Sequence, residues 1–167
     1  MRIRELAPTL WHLLGVKRAG VRTRTTAPRP ARDSMQRRYD ELVKQMKALH
    51  AVRVRRWRSS TSGCAWVVRY DDGSIARLIE APYPRGPVSC AVFLHEIGHH
   101  AIGFDTHRLR CVEEYVAWSW AIETMKAWHL NVTPAVEKRM TESVRWAVRK
   151  ARGRGLRSLP AELLPYA

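Results

Sequence analysis

Acidic residues are scarce in this chain: 15 Asp+Glu stand against 30 Lys+Arg in 167 residues, a formal net charge of +15. A chain so basic is expected to meet a polyanion such as DNA, RNA or an anionic lipid surface, with solubility and an arginine-rich composition as the plainer reading. Cysteine is sparse too. Cys64, Cys90 and Cys111 are odd in number, widely spaced and without a C-x-x-C pair, which excludes a disulfide framework and points to buried thiols in a reducing compartment. Long apolar runs are missing: the longest spans about seven residues, Val88 to Leu94, and contains Ser89. That is far below the roughly 20 residues needed to span a bilayer, so a membrane protein is excluded. The first 30 residues lack a continuous apolar core followed by small residues, so no secretory signal is expected.

What is there is ordinary for a globular protein. Hydrophobic residues make up 46% and charged ones 27%, and a length near 150 residues suits one domain with its own core. The positive charge is unevenly placed. Residues 1–60 hold 16 Lys/Arg and 4 Asp/Glu, residues 61–110 hold 5 of each, and residues 111–167 hold 9 and 6. Residues 1–32 therefore read as a basic, extended N-terminal arm, with a short amphipathic stretch from Arg4 to Leu14. Their Arg- and Thr-containing, acid-poor composition also matches a mitochondrial transit segment. Residues 33–157 form the expected domain, and 158–167 a tail whose leucines pack back.

Within that domain Asp33 and Gln36 suit the start of a helix, which the apolar series Met35, Tyr39, Leu42, Val43, Met46 and Leu49 carries to about His50. Segments 52–58, 64–70 and 75–80 are rich in β-branched and aromatic residues and predict three strands, the last two joined as a hairpin by Asp71-Asp72-Gly73-Ser74. Helices follow over about 88–102, 109–130 and 134–151, the last begun by Thr133 and Pro134. Strands grouped between helices predict an α+β fold with a small three-stranded antiparallel or mixed sheet.

The first late helix carries His95-Glu96-Ile97-Gly98-His99. Histidines four apart share one helix face, so both imidazoles can reach one ion, and Glu96 beside them can take a proton from a metal-activated water. Val88, Ala91, Val92, Phe93, Leu94 and Ile97 make this helix apolar nearly all round. Buried there, the polar groups cost several kcal/mol unless paired or metal-bound. Catalytic zinc usually takes three protein ligands. Glu114 is the favoured third, because Ala117 and Ala121 on its face let two helices approach; His107, Glu113 and Asp105 remain alternatives.

His95-Glu96-Ile97-Gly98-His99 followed by Glu114-x-x-Ala117-x-x-x-Ala121 resembles the ImmA/IrrE-type metallopeptidases, small gluzincin-like proteins with an H-E-x-x-H helix and a following E-x-x-A helix. Motif similarity extends to phage- and plasmid-borne zincins and to SprT-like DNA-associated proteases. Trp118 follows Ala117 where the family commonly has Asn or Asp. The resemblance implies a zincin-like fold and a Zn²⁺-dependent peptidase that acts on a peptide or protein, with His95, His99 and Glu114 as metal ligands and Glu96 as catalytic base.

Val52-Arg53-Val54-Arg55-Arg56-Trp57-Arg58 supplies the other signal. Arg53, Arg55, Arg56 and Arg58 with Trp57 are the ingredients of sequence-tolerant DNA or RNA binding, or of an edge strand guarded by charge against aggregation. The rival reading is thus a basic nucleic-acid-binding or phage-particle-associated protein with a non-catalytic metal site. The expected location is cytoplasmic or otherwise intracellular, with mitochondria or a viral particle as alternatives. The tryptophans on the late helices, Trp118, Trp120, Trp128 and Trp146, are expected in the core.

Overall fold

The structure, a computed structural model, describes residues 32–167. The expected arm therefore lies outside the described residues apart from Arg32, which opens the first helix. Four α-helices and three strands follow in the order α1 (Arg32–Leu49), β1 (Val52–Arg58), β2 (Cys64–Arg69), β3 (Ile75–Pro82), α2 (Pro87–Ile102), α3 (Arg110–Ala127) and α4 (Pro134–Gly153). A 3₁₀ turn over Ala161–Tyr166 ends the chain. The fold is α+β, and no helix among the described residues is long and apolar enough to cross a membrane.

Helix α1 begins one residue ahead of Asp33, and the Gln36 amide donates to Pro84 O at 3.0 Å and Asp40 Oδ1 at 2.9 Å. Its apolar side, Tyr39, Leu42, Val43 and Met46, is buried. The sheet is mixed, with strand order β1-β3-β2. β2 and β3 form the antiparallel hairpin, pairing Cys64 with Glu80 through Arg69 with Ile75. Gly73 closes its turn at φ +81°, where a side chain would be strained. β1 runs parallel to β3 on the other side. β2 is therefore one edge of the sheet and β1 the other.

A bulge between Val54 and Arg56 shifts the register of β1. An extra residue reverses which side later residues face. Trp57 consequently lies on the side of the sheet shared by Val52 and Val54, its ring 4.8 Å from Tyr83 and 5.9 Å from Phe93, and it stays 39% exposed.

Helix α2 is the centre of the molecule, packed between the sheet and α3, with α4 against both α3 and α2. Every residue from Cys90 to His100 is buried. Full burial of side chains such as Phe93, Leu94 and Ile97 contributes about 1.5–3 kcal/mol each. Pro87 fits the first turn, where its missing N–H costs nothing. The Ser89 hydroxyl accepts from Gly86 N at 3.1 Å and Arg85 N at 3.0 Å. At the other end Gly103 turns the chain out with φ +82°. His100 Nε2 donates to Leu78 O at 3.1 Å, tying α2 to β3.

On α4 the buried positions are Val136, Val144, Ala147 and Val148. Trp146 lies nearly opposite Val144 around the helix and is 56% exposed. It is the exception among the four late tryptophans, expected to be mostly core. Trp118 is fully buried, and Trp120 and Trp128 pack partly buried against the core. At the C-terminal end Leu163 is buried and Leu156 and Leu159 pack against the core, whereas Leu164 is exposed.

Candidate metal centre

Two helices build the site. α2 supplies His95, Glu96 and His99, and α3 supplies Glu113 and Glu114. Their approach depends on a seam of small residues. A Cβ at Gly98 would fall 2.9 Å from Ala117 O and 3.2 Å from the Trp120 ring, so only glycine lets the α3 backbone lie this close. Ala117 and Ala121 on the facing side of α3 are fully buried. Glu114, one turn before Ala117, then reaches over α2.

His95, His99 and Glu114 each turn one ligand atom inward, all within 4.8 Å of one another, and they could hold a metal ion. The two Nε2 atoms are 3.3 Å apart. Glu114 Oε2 lies 3.3 Å from His95 Nε2, and Glu114 Oε1 lies 3.7 Å from His99 Nε2. Ligand atoms held 2.0–2.1 Å from a tetrahedral ion stand about 3.3 Å from one another, so this spacing and the two-nitrogen, one-oxygen donor set fit Zn²⁺. His107 and Asp105 are not members of the cluster.

Glu113 is 2% exposed and faces the other nitrogen of His99, with Oε1 3.2 Å from Nδ1. A carboxylate only accepts, so Nδ1 carries the proton and Nε2 turns its lone pair to the cluster. Arg110 binds both carboxylates, Glu113 through Nη1 and Glu114 through Nη2 at 3.0 Å. His95 is steadied differently: the buried indole of Trp118 stacks on it at 4.4 Å with 17° between the rings, and Nδ1 is buried without a hydrogen-bond partner among the described residues.

Burial pushes His95 down to about 4, which keeps its imidazole neutral at neutral pH. Burial would raise Glu114, but the hydrogen bond with His95 and the charges around it hold that carboxyl at about 2. A neutral imidazole beside an ionised carboxylate is the state a metal ligand requires. Burial also pushes Glu96 up to about 8, with the Glu114 charge acting the same way. A cation in the cluster reverses that second influence.

Glu96 is enclosed by the loop before β2. A Cβ at Gly63 would collide with Glu96 Oε1 and lie 2.6 Å from its Cγ. Gly63, Cys64 and Ala65 line a cavity of about 590 Å³ that also contains the cluster. Arg139 enters it from α4: Nη2 donates to Thr61 O at 3.3 Å, and the guanidinium lies 5.7 Å from the Trp118 ring. Glu113, an alternative for the third ligand, stands instead behind His99. No sequence signal links Arg139 or Gly63 to His95, because tertiary packing alone brings them there.

The residues read as a nucleic-acid surface lie on the far edge of the sheet. Arg53, Arg55 and Arg56 are exposed, with Arg55 6.0 Å from the Trp66 ring. Arg58 instead turns to Glu80 at 3.1 Å and Ser62 at 3.1 Å, and Trp57 leans on Tyr83 and Phe93. Of the side chains near the motif that could serve as donors, Tyr115 packs on Tyr166, His100 is taken up by Leu78, and Arg110 by the two glutamates. No protein-family model, curated protein or solved structure matches the chain.

Proposed function

We propose that the protein is a zinc-dependent metallopeptidase with a zincin-like fold, similar to the ImmA/IrrE type. The observation that carries this reading is the convergence of His95 Nε2, His99 Nε2 and Glu114 at tetrahedral spacing, with the carboxyl of Glu96 on the next position of the same helix. His95, His99 and Glu114 hold the ion. Zn²⁺, when bound, acidifies a water and polarises a peptide carbonyl.

The chain's own residues supply the proton traffic and the positioning. Glu96 accepts the water proton on a carboxylate oxygen and passes it to the departing amine. Glu113 keeps the tautomer of His99, and Trp118 keeps the plane of His95. The free edge of β2 offers unpaired N–H and C=O groups to an extended peptide, which it takes as an added strand.

The test is Glu96→Gln. The variant retains about one zinc per chain by elemental analysis and loses cleavage of a quenched-fluorescent peptide library. Undiminished cleavage removes Glu96 from its role, and a wild-type chain that binds no zinc overturns the reading as a whole.

A second reading concerns the opposite edge. Arg53, Arg55 and Arg56 are exposed on β1, and no carboxylate among the described residues pairs with them. We propose that this strand meets DNA or RNA phosphates while the peptide site on the β2 side stays free. The affinity for a nucleic-acid duplex then falls steeply with salt, and the triple exchange of these arginines for glutamine flattens the slope by about three.

A further inference from the structure

The cavity that holds His95, His99 and Glu114 has a second wall, which the chemistry above leaves unused. Helix α4 contributes Arg139, Glu142, Ser143, Trp146 and Arg149 to it. Steps of three and four residues put these side chains along one helix face. Arg139 is held against Thr61 O and the Trp118 ring, so its cation is fixed beside the stack that steadies His95. Arg149 is exposed. Neither guanidinium has a carboxylate within 4.0 Å among the described residues, and Glu142 turns to Lys138 at 3.8 Å. Trp146 is 56% exposed, and Lys150 Nζ sits 4.6 Å from the centre of its ring. Two unpaired cations and an exposed indole thus share a cavity with the candidate catalytic group.

The opposite wall decides what kind of chain fits between. It is the free edge of β2, whose unpaired backbone groups match a peptide main chain rather than a sugar-phosphate chain. At 1.5 Å per residue Arg139 and Arg149 stand about 15 Å apart along α4, which an extended peptide covers in about four or five residues.

Resting on the peptidase reading, we propose that this face of α4 selects peptides carrying acidic side chains within about four residues of the bond attacked, with Arg139 and Arg149 holding carboxylates and Trp146 covering the peptide between them. Arg139 and Arg149 are thereby specificity-determining residues.

The experiment uses the full chain with Glu96→Gln, loaded with zinc, so that binding is read without turnover. Three labelled peptides of one length differ only in carrying Glu, Gln or Lys at the same positions, and fluorescence anisotropy at low salt gives their affinities. The Glu peptide binds about tenfold tighter than the Gln peptide, with the Lys peptide weakest. Adding Arg149→Glu removes most of that preference and improves the Lys peptide, while zinc content and melting temperature stay where they were. Trp146→Ala weakens all three peptides alike. Equal affinity for the Glu and Gln peptides overturns the proposal. An oligothymidylate that binds more tightly than the Glu peptide, and is lost with Arg149→Glu, overturns it in favour of a nucleic-acid face. The peptidase reading fails separately: the wild-type, zinc-loaded chain binds the Glu peptide with the stated preference and leaves it uncut.

Discussion

Glu113 Oε1 stands 3.2 Å from His99 Nδ1, on the opposite side of the imidazole from Glu114. Adjacent glutamates on α3 therefore do different work, one at the cluster and one behind it. Glu113→Ala removes the acceptor that keeps the proton on Nδ1, and zinc affinity falls about 10- to 100-fold. Glu113→Gln keeps a carbonyl oxygen there and restores most of the affinity. Competition against a chromophoric chelator measures both.

Glu114→Ala leaves two imidazoles at the cluster and takes away its one carboxylate. Tight zinc binding is lost with it. His107→Ala and Asp105→Asn, which change the alternatives considered for the third ligand, leave one zinc per chain. Elemental analysis of the three purified variants separates these outcomes.

In the metal-free protein the raised Glu96 makes stability depend on pH. The folded chain keeps this proton up to about 8, whereas an ordinary glutamate releases it near 4.5. The folded state therefore binds more protons between those values, and stability falls as pH rises through that window. Below about pH 6.5 the lowered His95 pulls the other way, so the melting temperature of metal-free protein drops from about pH 6.5 to about pH 8, and Glu96→Gln flattens that part of the curve. Glu114 acts at the acid end: held at about 2, it loses its contribution as pH falls from 4.5 towards that value.

Gly63→Ala places a methyl group against the Glu96 carboxyl. That carboxyl must move while His95, His99 and Glu114 stay where they are. Turnover of a cleavable peptide falls about 10- to 100-fold, with little change in zinc affinity. A zinc titration beside steady-state kinetics distinguishes this from general damage to the site.

Local signals made most elements legible. The apolar series from Tyr39 to Met46 outlined α1, Asp71 to Ser74 marked the hairpin, and Pro134 marked the start of α4. The pairing of β1 with β3 was not legible, because a parallel neighbour is chosen by tertiary packing and no turn residue announces it. The bulge that brings Trp57 beside Phe93 escaped for the same reason, since alternation assumes an unbroken register. His95, Glu96 and His99 were legible because one helix turn brings them together. Glu114 could be argued from Ala117 and Ala121, which say that something approaches. Arg139 and Gly63 reach the site only through tertiary packing, and Trp146 is outside the core because Val144, Ala147 and Val148 already face inward.

The seam of Gly98 against Ala117 sets the distance between α2 and α3 by backbone contact, independently of any ligand. Folding alone thus brings the three donors to coordination spacing. An ion held by them would enter a receptor already shaped for it and leave without the helices parting. A chelator yields a folded, inactive chain that zinc restores at once, unlike small domains that unfold when stripped. On the peptidase reading, activity would follow the free zinc in the surroundings, and one pool of folded protein would be switched on and off without new synthesis.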